Sequence, residues 1–120
     1  MRKLTSFFIA AFLTMSCGKK EVSIPSGVFS LEEMVPVLVD IHVIEGARNG
    51  SLILGDTNTI EDYYSKVYEK HGILEADFKK SFQFYSENPA LFVPIFERVL
   101  DSLKIQGELL AKRGVELDYD

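Results

Sequence analysis

Ile60-Glu61-Asp62-Tyr63-Tyr64-Ser65-Lys66-Val67-Tyr68-Glu69-Lys70-His71-Gly72-Ile73 (residues 60–73) is the stretch whose periodicity decides the fold. Ile60, Tyr63, Tyr64, Val67, Tyr68 and His71 fall at i, i+3, i+4, i+7, i+8 and i+11, one stripe at the period of an α-helix and not of a strand. Gly72 follows directly, where a left-handed residue ends a helix without the steric cost of a Cβ. Ile73 is placed to fold back on Tyr68, as a Schellman motif prefers. The start lies near Asn58 or Thr59, with Asn58 and Glu61 fitting a capping box. A helix marked at both ends and striped with aromatics needs other helices to cover that stripe.

Downstream, Glu75 to Glu87 reads as a further helix whose buried side is Phe78, Phe82 and Tyr85. Asn88-Pro89 ends it and opens the next, since asparagine is a good N-cap and proline suits the first helical position. Leu91, Phe92, Ile95, Phe96, Val99, Leu103 and Leu110 carry the stripe of this last helix, with Pro94 near its second turn, Gly107 a soft point and Gly114 the expected stop. Residues 115–120 read as a loose acidic tail.

Upstream, Ser30-Leu31-Glu32-Glu33 is a capping box that starts a helix. Met34, Val37, Leu38, Ile41 and Ile44 recur at helical spacing, widened by Val35, Val39 and Val43. Pro36 lies inside and cannot donate to the carbonyl of Glu32, which implies a kink or a split first turn. Asn49-Gly50 ends the segment, and Leu52-Ile53-Leu54 in the following loop are expected to cover the core. The fold class is therefore all-α: a small bundle of about four helices over residues 30–114, with short links after the second and third helices favouring antiparallel neighbours.

The first sixteen residues have a different character. Arg2 and Lys3 precede an apolar run from Leu4 to Leu13, which is well short of the roughly 20 residues needed to cross a bilayer. Small side chains then lead into Cys17-Gly18. Residues 1–16 thus read as a secretory signal peptide. Leu13-Thr14-Met15-Ser16-Cys17-Gly18 resembles a lipobox, in which the cysteine is acylated on sulfur and becomes the new N-terminus. Thr14 stands where leucine is commonest. Cys17 is the only cysteine, so no intramolecular disulfide is available to explain it. Two or more acyl chains hold a protein on a membrane stably. Gly18 is not the aspartate that retains many lipoproteins at the inner membrane, so sorting to the outer membrane is expected. Residues 17–29 read as a flexible tether, rich in Gly, Ser, Pro and charge.

Removing Arg2 and Lys3 leaves eleven basic residues against eighteen acidic ones, a formal charge of −7 on the mature chain. That balance repels phosphate backbones, so nucleic acid is not an expected partner.

The most site-like cluster is Asp40, His42 and Glu45 on the first helix, since His42 and Glu45 are three apart and share a face. Carboxylate-bridged di-metal bundles place Glu before His on two helices and add two further glutamates, and this order is reversed and unpartnered. The expectation is structural: His42 half-buried, with Glu45 or Asp40 paired to a base such as Arg98. His71 complements the dipole at the end of its helix. No nucleophile elbow, phosphate loop, Cys-x-x-Cys pair or HExxH helix is present, so neither an enzyme nor a cofactor or metal is expected. Nine phenylalanines and five tyrosines, with no tryptophan, give the chain its aromatic content. Phe84 lies off the stripe of its helix and is the expected exposed ring of an interaction surface.

Met34 to Glu45, Tyr63-Tyr64, Lys70-His71-Gly72-Ile73, Phe78, Ser81, Tyr85, Asn88-Pro89 and Phe96-Glu97-Arg98-Val99 together resemble a family of small Bacteroidota-type lipoproteins classed as a domain of unknown function. The resemblance spans roughly residues 31–103. It implies a helical lipoprotein and carries over no catalytic residue. The expected role is an accessory subunit docking on a larger outer-membrane complex. The alternative is a small-molecule or glycan binder stacking on Tyr63, Tyr64, Phe84 and Tyr85, which would require two exposed rings about a concave surface.

Overall fold

A computed structural model describes residues 22–49 and 57–117. Cys17 and the signal peptide, the Leu52-Ile53-Leu54 stretch and the last three residues lie outside the described residues. Among the described residues there are four helices and no strand: α1 (Leu31–Asn49), α2 (Ile60–His71), α3 (Glu75–Glu87) and α4 (Pro89–Leu117).

The helix ends follow local chemistry. At α1, the Glu33 N–H donates to Ser30 Oγ at 3.3 Å and the Ser30 N–H to Glu33 Oε2 at 2.7 Å, the reciprocal capping box. The hydrogen bonds from Ser30 hold the Glu33 carboxyl below its ordinary pKa. α1 then runs unbroken through Pro36. At α2 the box is made by Thr59 and Asp62, one position later than Asn58 and Glu61 would place it, because the Asp62 side chain reaches the Thr59 N–H at 2.7 Å. Gly72 closes α2 at φ 62°, ψ 34°, and the Ile73 N–H returns to the Tyr68 carbonyl at 3.0 Å. Asn88 works backwards: its side-chain amide donates to the Phe84 carbonyl at 2.7 Å, stabilising the end of α3, and Pro89 opens α4. Gly114 does not stop α4, which continues to Leu117. Glycine lowers helix propensity by only about 1 kcal/mol, too little to end a helix without a left-handed turn to take its place.

The core is built chiefly by α1 and α4. Met34, Val37, Leu38, Val39 and Ile41 from α1 meet Ile95 and Val99 from α4, all buried, with Val67 and Tyr68 added from α2 and Phe78 and Tyr85 from α3. α1 packs on α4 and on α2, and α3 packs on α4. α2 and α3, although joined by a turn of only three residues, meet sparsely. The short link thus does not make them close neighbours, since each is held on a different helix of the central pair.

Two expected boundaries shift. Val28 and Phe29, placed in the tether by composition, pack against the core. The Phe29 N–H donates to Ser81 Oγ at 2.9 Å and its carbonyl accepts from the Tyr85 hydroxyl at 2.7 Å. The buried side of α3 is consequently Phe78, Ser81 and Tyr85, and Phe82 is 39% exposed. Ser81 is fully buried because its hydroxyl is used twice, accepting from Phe29 and donating to the Asp77 carbonyl at 2.8 Å.

Candidate functional site

A ring of four helices has four seams, and among the described residues α2 and α3 meet most sparsely. The helices diverge from the Gly72 turn and leave a groove of about 480 Å³ between them. Four of its nine lining residues are aromatic: Tyr64 and Tyr68 from α2, Phe78 and Phe82 from α3. The Tyr68 and Phe78 rings, 5.5 Å apart, close the groove toward the core. Phe82 stands at its open side with its other face braced edge-on against Phe92 of α4 at 5.4 Å. From Phe92 the ring contacts continue to Phe96 at 4.5 Å and on to His42 at 6.1 Å. Phe82, 39% exposed, is therefore backed by a row of rings.

The rim is polar. Glu61, Ser65 and Gln83 flank the rings, and Glu75 is paired with Lys79 one helical turn away. The Tyr64 hydroxyl donates to Glu45 Oε1 at 2.5 Å, and this bond pushes its pKa up to about 12. Tyr64 thus remains a neutral phenol at any physiological pH. Burial, reinforced by the charge of Glu75, pushes Tyr68 up as well.

The three residues singled out as a cluster disperse. Asp40 reaches α2, accepting from Lys70 Nζ and lying 2.7 Å from His71 Nε2. Burial by itself would raise the Asp40 carboxyl, but the hydrogen bonds from Lys70 and His71 and their charge outweigh it and hold the pKa below the usual range. His42 turns its Nδ1 to the Leu38 carbonyl at 2.7 Å, within its own helix. Glu45 takes the Tyr64 hydroxyl. Arg98, the expected base for Asp40 or Glu45, instead meets Glu32 at 3.5 Å. Among the described residues no group of three or more His, Cys, Asp or Glu side chains is arranged to hold a metal ion. Asp40 and Glu45 thus join α1 to α2 at two points.

Phe84, the expected exposed ring, is half-buried against the core with its ring 5.3 Å from Tyr85. Tyr85 is buried and Tyr63 half-buried with Lys66 over its ring. Of the four aromatics first considered for stacking, only Tyr64 lines the groove. Reading α3 as Phe78-Ser81-Tyr85, an equally helical spacing, would have rotated the buried face away from Phe82 and toward Phe84.

A second apolar surface lies on α4. Beyond Leu103 no described hydrophobic of this helix packs on the core, and Ile105, Leu109 and Leu110 are 57%, 50% and 66% exposed, with Leu100 at 63%. Leu110, expected in the buried stripe, faces solvent because α4 outruns the helices it packs on. None of the described helices is long and apolar enough to cross a membrane.

Residues 25–108, which span all of the core-forming segments, match the domain of unknown function DUF4296, and the chain belongs to that family. No curated protein and no solved structure matches it.

Proposed function

We propose that this DUF4296 chain is a lipid-anchored, non-catalytic accessory subunit of an outer-membrane protein complex, such as a barrel-assembly or secretion machine. In this reading Cys17 carries the lipid and the open seam between α2 and α3 is the docking surface. The observation that supports it most is the seam itself: a groove around Tyr64, Tyr68, Phe78 and Phe82 that none of the described residues fills. Natural domains rarely leave such surface exposed without a partner for it. A braced aromatic at the centre and carboxylates at the rim match the anatomy of a protein interface, with an apolar centre and polar edge.

The groove also supports a second reading, a small molecule or glycan stacked on Phe82 with Glu61, Ser65 and Gln83 as hydrogen-bonding groups. Protein docking is favoured because it alone gives a role to the uncovered leucines of distal α4, which a sugar site leaves unexplained.

The anchor is tested by intact mass of the mature chain, where an unlipidated Cys17 would overturn it. Cys17→Ala is expected to abolish acylation and release the chain from membranes. Docking is tested by affinity purification of tagged chain from detergent-solubilised membranes, followed by mass spectrometry. A reproducible set of outer-membrane subunits is expected, and recovery of the chain alone would contradict the reading.

A further inference from the structure

Distal α4 and the α2/α3 seam are both apolar surfaces that the described residues leave open, one convex and one concave. From Leu103, the last residue of α4 packed on the core, to Leu117 the helix continues for about 21 Å at 1.5 Å per residue. In proteins most helical stability comes from packing of an apolar face, and Leu109 and Leu110 of this stretch find none among the described residues. Ile95, Val99 and Leu103 occupy the covered side of α4, and Leu110 continues the Leu103 row seven residues on, where nothing covers it.

We propose that the α2/α3 seam receives the distal part of α4 from a second copy of this chain, an inference that rests on the seam being a protein-docking surface. Leucines enter the aromatic groove and leave the polar side of the incoming helix at its rim. The charges agree with this placement in balance: residues 104–113 of α4 carry Lys104, Lys112 and Arg113 against Glu108, whereas the edge of the groove carries Glu61 and Glu75 against Lys79. A chain cannot fill its own seam in this way. Its α4 is one continuous helix whose proximal half is held by α1 and α3, so the distal half cannot turn back. With each copy offering one helix and one groove, the contact either closes reciprocally in a pair or passes from copy to copy. Anchoring in a shared membrane raises the effective concentration at which copies meet.

Site-directed cross-linking of the full chain in its own membranes provides the test. Two differently tagged copies are co-expressed, one carrying Phe82→Cys and the other Leu110→Cys, and membranes are oxidised. A disulfide-linked heterodimer is expected, and it should be lost when Glu97→Cys, on the polar side of α4, replaces Leu110→Cys. Ser65→Cys, exposed on the opposite wall of the groove, repeats the test with a substitution that leaves the ring contacts of Phe82 untouched. Absence of the heterodimer while both variants accumulate as the wild type does would overturn the proposal. Equal cross-linking through Glu97→Cys would overturn it too, as random collision. If no heterodimer forms but Phe82→Ser strips co-purifying subunits from the tagged chain, docking at the seam stands and self-docking falls. A heterodimer without any larger assembly gives the converse.

Discussion

The seam between α1 and α4 and the seam between α2 and α3 draw on similar residues, large aliphatics and aromatics at helical spacing, and reach opposite outcomes. In the first, Met34, Ile95 and Val99 lose all contact with solvent. In the second, Tyr68 and Phe78 close only the floor, and Tyr64 and Phe82 are left around a groove. The difference lies in what each helix is tied to. α1 and α4 face each other directly, whereas α2 is held to α1 by Val67 and by the Asp40 and Glu45 contacts, and α3 is held to α4 by Tyr85 and its neighbours. Stability is thus concentrated on one side of the molecule, and the other side can stay open.

If that division is correct, substitutions on the closed side should be costly and those on the open side cheap. The largest effect is expected at Tyr85, which is 1% exposed and whose hydroxyl donates to the Phe29 carbonyl. Tyr85→Ala should cost about 3–5 kcal/mol in chemical denaturation. A loss below about 1 kcal/mol would mean that the closed side is less tightly packed than described.

Ser81→Ala should come next, at about 1–3 kcal/mol, because it leaves the Phe29 N–H without its acceptor. Amide hydrogen exchange should show the same substitution freeing residues 28–29 before it affects α4. This position also shows where sequence reading stops. The stripe of α2 and its Gly72 stop are legible because a helix writes its own period and end into adjacent residues. The buried face of α3 is not, because a serine belongs in a core only when a partner satisfies it, and that partner, Phe29, is 52 residues away. With Ser81 passed over, Phe82 takes its place in the stripe, and Phe84 is turned outward in error. Distal α4 is misread for a related reason: periodicity identifies the apolar side of a helix but not how far its neighbours extend. The Asp40, His42 and Glu45 cluster is compact in sequence, but the partners that disperse it, Lys70, His71 and Tyr64, lie on another helix.

The polar contacts between α1 and α2 should contribute less. Asp40→Asn is expected to cost up to about 1 kcal/mol near neutral pH, as partly exposed ion pairs do. The folded-state pKa of Asp40 lies below its ordinary value, so its contribution is fully present above the unfolded pKa and is lost as pH falls through the folded one. The stability gap between wild type and Asp40→Asn should therefore close as pH drops below about 4. A gap that widens in acid would show that Asp40 is not the charged partner of Lys70 and His71.

Smallest of all should be Leu110→Ala, within about 0.5 kcal/mol of wild type in the dilute, unassociated chain, since this leucine touches little of its own bundle. A cost near that of a core leucine would mean that distal α4 is covered within one chain.

Whether the α2/α3 seam is a binding surface is decided by Phe82→Ser, because the ring is exposed toward the groove and backed by Phe92. Tagged wild-type and Phe82→Ser chains would be captured in parallel from solubilised membranes, their co-purifying proteins quantified, and their thermal unfolding compared. Phe82→Ser is expected to lose most of what co-purifies with the wild type while still unfolding in one cooperative transition, at a midpoint lowered by the lost ring contacts. An unchanged set of co-purifying proteins on a normally folded Phe82→Ser chain would contradict it.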